Sequence, residues 1–299
     1  MERKKKYING QSVGDFVFDS LNGFLMILFC LLVIYPLWYI VTLSFNDGAD
    51  AMRGGIYFWP RVFTLENYKR VFAEAQVINA FFITVSRTVI GVVSGVFFTS
   101  MVAYGLSKTH LIGRKLYMLI GVVTLFFSGG LIPYFMLLRN LHLIDTFLVF
   151  IIPSLFGFYN CLIFITFFQS IPDSLEESAI VDGANEFLIF IRIILPLSKA
   201  VLATIALFVG VNHWNDYFSG VVYINKASLM PIQTYLYRVV VAGGSSRLAA
   251  NMPAGMMRFT SSQALKLATM VVTTVPILCV YPFLQKFFVK GVLIGAVKG

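Results

Sequence analysis

Charge is what this chain has least of. Asp, Glu, Lys and Arg make up 12% of its 299 residues, against 58% apolar residues, whereas water-soluble domains carry about 25% charge. So few charges cannot cover a water-facing surface, and a soluble globular domain is excluded in favour of a chain whose solvent is lipid. Cysteine is scarce too. Cys30, Cys161 and Cys279 lie far apart inside apolar runs, a spacing that suits neither a disulfide framework nor a metal site, and they read as small packing residues. The histidines are His110, His142 and His213, distant from one another. No HExxH, CxxC or G-x-S-x-G motif accompanies them, so neither a metal centre nor any catalytic residue is expected, and the chain does not read as an enzyme. The phosphate loop G-x-x-x-x-G-K-[ST] is also missing: no cofactor is expected on this chain, and any ATP must be bound by another polypeptide. The net charge of +9 has no basic run interleaved with aromatics, which argues against nucleic acid and assigns the excess to membrane flanks.

What is present is a series of long apolar runs, with a mean hydropathy of +0.82. An isolated segment satisfies its backbone in lipid only as a helix, and about 20 residues cross the hydrocarbon. The expected fold is therefore an all-α membrane protein with six transmembrane helices. Residues 1–20 form an N-terminal segment whose Arg3, Lys4, Lys5 and Lys6 favour a cytoplasmic start. The first span, within 21–45, is too long for a signal-peptide core and is followed by no small-residue cleavage site. An outer loop occupies 46–78. The core, 79–288, holds spans at about Asn79–Leu106, Lys115–Leu138, Phe147–Phe168, Leu202–Val222 and Leu265–Phe288, and 289–299 form a cytoplasmic tail. This topology is a multi-pass protein of the cell membrane with both termini inside. It leaves 12 of the 23 Lys and Arg in inside segments and nine in outer ones, a small bias in the direction that charge-dependent insertion favours.

The densest acidic cluster lies after the fourth span, in Pro172–Pro196, with Asp173, Glu176, Glu177, Asp182 and Glu186. Ser174 and Glu177 have the S-x-x-E spacing of a capping box, which starts a helix with Glu176 and Glu177 at its positive end. Gly183 supplies the left-handed residue that stops it, and Ala184 to Leu195 reads as a second helix. Local physics leaves two readings open: a capped connection between two spans, or a docking element at the membrane surface.

Polar residues inside spans are costly and face an interior. Arg87 either bonds backbone carbonyls within the bundle or lines a translocation path. In His213-Trp214-Asn215-Asp216-Tyr217, Asn215 and Asp216 either hold helices together or, with Trp214, contact a substrate. An ion-coupled secondary transporter is the alternative class. It calls for buried acidic residues and two similar halves, and here Asp216 stands nearly alone within the spans and no internal repeat occurs.

Glu177-Ser178-Ala179-x-x-Asp182-Gly183-Ala184, followed by Ile193-x-Leu195-Pro196, resembles the EAA loop of ATP-binding-cassette (ABC) importer permeases. Ser178 replaces the usual Ala, small for small. Phe63-Thr64-Leu65-Glu66-Asn67-Tyr68 in the outer loop, the W-N-D element, and the tail Tyr281–Gly291 with Gly295–Gly299 resemble the carbohydrate-uptake, MalG-like branch. Phe127–Pro133 is similar to the LplC/YtcP-like group. The resemblance implies the type I (MetI-like) permease fold and transport of an oligosaccharide or polysaccharide-derived sugar. It implies a coupling helix, carried by Glu176, Glu177, Ala179, Asp182, Gly183 and Ala184, that docks on a separate ATPase. Its other implied partners are a second, different permease chain, two copies of the ATPase and an extracytoplasmic solute-binding protein. Arg87, Trp214, Asn215 and Asp216 are the candidate substrate-path residues, since Trp stacks on a pyranose and Asn and Asp bond hydroxyls. A permease for a non-sugar solute is the nearer alternative.

Overall fold

The computed structural model describes residues 7–8, 11–241 and 263–279. Helix dominates these residues, with one two-residue strand pair, Tyr7–Ile8 with Gln11–Ser12. They fall into two compact units, one within residues 7–73 with 263–272 and the other within residues 74–241 with 273–279.

In the first unit, α1 (Val13–Ser44) begins earlier than the expected first span, so residues 13–20 are already helical. Its apolar side chains are exposed on all sides from Phe16 to Tyr39, the arrangement of a helix whose environment is lipid. Residues 46–73, ending in α2 (Glu66–Ala73), fold back onto the end of α1. Phe63 stacks on Phe45 at 5.6 Å, the Asn67 amide donates to the Ser44 and Asn46 carbonyls at 2.8 and 3.0 Å, and the Tyr68 and Ser44 hydroxyls meet at 2.6 Å. Thr64 Oγ1 accepts from the Glu66 amide at the start of α2. The F-T-L-x-N-Y string is thus a fastening for this loop.

The second unit is built around α3 (Ala75–Ser107), an unbroken helix of 33 residues. After it come α4 (Arg114–Phe126), α5 (Leu131–Asn140), α6 (Phe158–Phe168), α7 (Ser174–Val181), α8 (Glu186–Leu197), α9 (Lys199–Asn215), α10 (Phe218–Tyr223) and α11 (Ile232–Val240). The core lies between α3, α6, α8 and α9, where Tyr104, Phe164, Phe190, Ile194 and Ile205 are buried together. Inside α8 the turn widens into a π-helix at Phe190–Ile194. Pro196 follows two residues on; it has no N–H for the Arg192 carbonyl and its ring crowds that oxygen.

Several of the six expected spans are bent or broken helices. Among the described residues, only α1 and α3 are each long and apolar enough to cross a membrane, and three bent pairs pass together: α4 with α5 at 118°, Phe147–Ser154 with α6 at 45°, and α8 with α9 at 85°. The described residues therefore hold two to five candidate spans. The expected third span breaks at Ser128-Gly129-Gly130, where Gly130 at φ 82° takes a conformation that a residue with a Cβ adopts at a cost. The fourth opens as two 3₁₀ turns around Pro153 before α6 begins. The fifth breaks at Asp216 and Tyr217, between α9 and α10. The expected sixth is seen as Gln263–Cys279; its remainder and the tail motif lie outside the described residues.

The loop 141–146, expected outside, is latched to the segment after α10, also expected outside. The Asp145 amide donates to the Tyr223 carbonyl at 3.0 Å. Its carboxylate accepts from the Asn225 and Lys226 amides at 2.5 and 3.1 Å and from the Asn225 side chain at 3.1 Å. These hydrogen bonds to the charged form hold the Asp145 pKa below the usual 3.8.

Candidate functional site

The acidic loop folds as a short helix, a glycine turn and a second helix. The cap differs from the expected one: α7 starts at Ser174 with Asp173 in the cap position and no side-chain hydrogen bond there, so the Ser174–Glu177 capping box does not form. The Asp173 carbonyl instead accepts from the Glu176 and Glu177 amides, each at 3.0 Å. The stop is the expected one. Gly183 sits at φ 82°, with its amide on the Ile180 carbonyl and the Ala184 amide on the Ala179 carbonyl, both at 2.9 Å. That pair of bonds is a Schellman motif. Asn185 then caps α8 by accepting from the Leu188 amide at 2.8 Å.

The loop has an inner and an outer face. Ala179 and Ala184 pack on the core of the unit. Outward lie Glu177 and Asp182 with Leu175, Ile180, Val181 and Phe187, the last four 40%, 53%, 86% and 58% exposed. Glu176 turns inward and pairs with Lys108 at the end of α3. The Tyr104 hydroxyl donates to Glu186 at 2.8 Å and lies 3.5 Å from Glu176, while the Lys108 ammonium sits 4.5 Å above the Tyr104 ring. Burial lowers the Lys108 pKa, and the charges of Glu186 and Asp173 oppose that shift. Of the six expected coupling residues, Glu176, Ala179 and Ala184 therefore hold the loop, and Glu177 and Asp182 face out beside the Gly183 turn. Tyr104 and Lys108 were invisible as site residues in the sequence; the only signal was their place at the end of a span facing an acidic loop.

A second site lies where α9 breaks. Arg87 of α3 is fully buried. Its Nε and Nη2 donate to the His213 carbonyl at 2.9 and 2.5 Å, and Nη2 also to the carbonyl and carboxylate of Asp216 at 3.0 and 2.9 Å. The guanidinium lies 4.6 Å over the Phe150 ring. The other carboxylate oxygen of Asp216 accepts from the Ser219 amide at 3.0 Å, starting α10. Carbonyls at a helix end have no intrahelical donor, and Arg87 supplies one from across the unit. Gly91, one turn along α3, makes room for this: a Cβ there would overlap the His213 imidazole.

Beside this break is a cavity of about 350 Å³, whose lining includes Ser154, Asn160, Asn212, His213, Asp216 and Phe156. Of the four candidate path residues only Asp216 lines it. Arg87 lies behind its wall, Asn215 is exposed elsewhere, and Trp214 packs edge-on against Phe81 at 5.8 Å. Asn160 and Asn212, which nothing in the sequence singled out, line the cavity as well.

No protein-family model matches the chain. It is 38% identical over 288 residues to the polygalacturonan/rhamnogalacturonan transport system permease protein YtcP of Bacillus subtilis, covering 95% of this chain and 99% of the relative. Among solved structures, a bacterial ABC transporter involved in the import of the acidic polysaccharide alginate superposes with a TM-score of 0.86 at 31% identity, over 93% of this chain and 99% of that one. A bacterial alginate ABC transporter in complex with an alginate pentasaccharide-bound periplasmic protein shares the fold, with a TM-score of 0.56 at 17% identity over 90% and 93% of the two chains.

Proposed function

The chain belongs to the carbohydrate-uptake family of ABC importer permeases, and from that premise we propose that it carries an oligosaccharide cut from an acidic polysaccharide inward through the cell membrane, driven through α7. It is a transport subunit and not an enzyme. The substrates named for its relatives, polygalacturonan and rhamnogalacturonan for one and alginate for the other, support the sugar class. The alternative of a non-sugar solute has no such support, and family membership sets aside an ion-coupled transporter.

The observation that carries the coupling assignment is the outer face of α7 and the turn after it. Leu175, Ile180 and Val181 stand exposed beside Glu177 and Asp182 on a helix that is part of no candidate span, with Phe187 exposed at the start of α8. Such a face on a connecting loop marks an interaction surface. The partner we assign is the cytoplasmic ATPase, present in two copies, one for this chain and one for a second, different permease. An extracytoplasmic binding protein delivers the sugar, as the complex of the alginate transporter illustrates. Both termini lie inside, and six crossings are completed by the bent pairs and by the helix that starts at Gln263. When the two ATPases close, α7 moves as a rigid body, and Tyr104, Lys108, Glu176 and Glu186 draw the end of α3 with it.

Gly183→Asp tests this. A side chain at φ 82° strains the Schellman turn and places a charge in the docking surface. Uptake should be abolished while the variant stays in the membrane at normal abundance. Import at the unmodified rate would contradict the docking assignment.

A further inference from the structure

We propose that the cavity beside the α9 break is a sugar subsite that reads hydroxyl groups and ignores the carboxylates of the transported chain. The inference rests on the reading of the protein as an oligosaccharide permease and adds what this subunit contributes to selection. Position comes first. α3 is 33 residues long, or ~50 Å at the helical rise, against a hydrocarbon core of about 30 Å. Gly95 and Thr99 line the cavity from that helix, ~6 and ~12 Å past its midpoint at the helical rise, inside the ~15 Å half-thickness of a hydrocarbon layer centred on it. Polar groups at that depth are costly unless they serve a path or a partner.

Chemistry comes second. Asn160 and Asn212 line the cavity from α6 and α9, and each carries an amide that both donates and accepts, as a sugar hydroxyl does. His213 Nε2 and Ser154 Oγ lie 3.3 Å apart on the same wall and add a further mixed pair. Phe156, 40% exposed, offers an apolar surface of the kind that meets the C–H face of a pyranose. The volume of about 350 Å³ falls in the range of small-molecule clefts.

Charge comes third, and it is the informative part. Among the described residues no Lys or Arg lines the cavity, and the one acidic group there, Asp216, is already engaged by Arg87 and the Ser219 amide. A site built for a uronate would present a free cation, most effectively a guanidinium that binds carboxylate with two hydrogen bonds. Arg87 has the right group but is sealed in the wall. Discrimination for acidic sugars must therefore be made elsewhere in the importer, and this cavity should treat an acidic chain and its neutral counterpart alike.

The test uses the whole importer with its binding protein in proteoliposomes, fed labelled trigalacturonate or the carboxyl-reduced, neutral galactotriose. Asn212→Leu keeps roughly the same side-chain size and removes the amide; Asn160→Ala is the gentler companion should the first fail to assemble. Losing a neutral hydrogen bond costs up to about tenfold. Each variant should import both sugars roughly three- to tenfold more slowly, with their ratio and the ATPase rate without sugar unchanged. Asn160→Arg should shift the ratio toward trigalacturonate. Unaltered import by both amide-free variants, or a loss confined to the acidic sugar, would overturn the subsite. An unmodified importer that carries neither trisaccharide would instead overturn the function on which it rests.

Discussion

Arg87 shows what a single residue does in this fold. Its charge is removed from water, and the cost is offset by two backbone carbonyls, one carboxylate and one aromatic face. Of the two roles left open by the sequence, the guanidinium is found bonded to carbonyls within the bundle. The sequence did not reveal which carbonyls, because they belong to a helix end 126 residues away. Arg87→Met should lower stability by about 3 kcal/mol, since it leaves Asp216 and the orphan carbonyls unpaired. Arg87→Lys should recover only part of this, as one ammonium cannot match the guanidinium fork. Thermal unfolding of the purified complex checks both. Equal midpoints for Met and the unmodified protein would mean that the break in α9 is held by other contacts.

At the scale of elements, the unit has a fastening at each end, and both are open to test. Where α3 ends, Tyr104→Phe or Lys108→Met should slacken its hold on the loop. Import should fall severalfold while ATP hydrolysis persists, so that more ATP is spent per sugar. The exchanged pair Lys108→Glu with Glu176→Lys should restore part of the ratio, because it keeps the ion pair. A parallel loss of both activities would point to simple unfolding. At the opposite end, the Asp145 pKa is depressed in the folded protein, so its latch contributes fully above the ordinary carboxylate value. That contribution is lost as pH falls through the depressed value, below 3.8. Amide hydrogen exchange at Asn225 and Lys226 should therefore be flat from neutral pH down to about 4 after correction for intrinsic rates. Asp145→Asn should raise that exchange at every pH.

The same elements show how far local rules reach. The Gly183 stop was legible because a Schellman turn is written in adjacent residues. The start of α7 was not, since Ser174 and Asp173 are both good caps one position apart and the choice falls to the approach of the chain from α6. Glycine and proline at Gly130 and Pro153 are breakers by residue type, whereas nothing in the residue type of Asp216 marks the end of a helix. The consequences of these breaks were not legible, because a bend of 118° depends on what the two halves pack against. Tyr104, Lys108, Asn160 and Asn212 escaped notice for the same reason: each meets its neighbours across long stretches of sequence.

For the whole molecule, the paucity of charge is what places the protein in lipid, and the string around Gly183 is what carries its family. The proposed six-span topology makes one sharp prediction of sidedness. In a cysteine-free background, Met52→Cys and Val181→Cys, at positions 75% and 86% exposed, should react with a membrane-impermeant maleimide from opposite sides. Only Met52→Cys should label in intact cells, and labelling of both from outside would remove the loop from the compartment that holds ATP. The most direct measurement concerns composition. The tagged chain, purified in mild detergent from its native membrane and weighed intact by mass spectrometry, should emerge with one different permease and two copies of an ATPase. Recovery of this chain by itself, able to move sugar after reconstitution without ATP, would contradict the account.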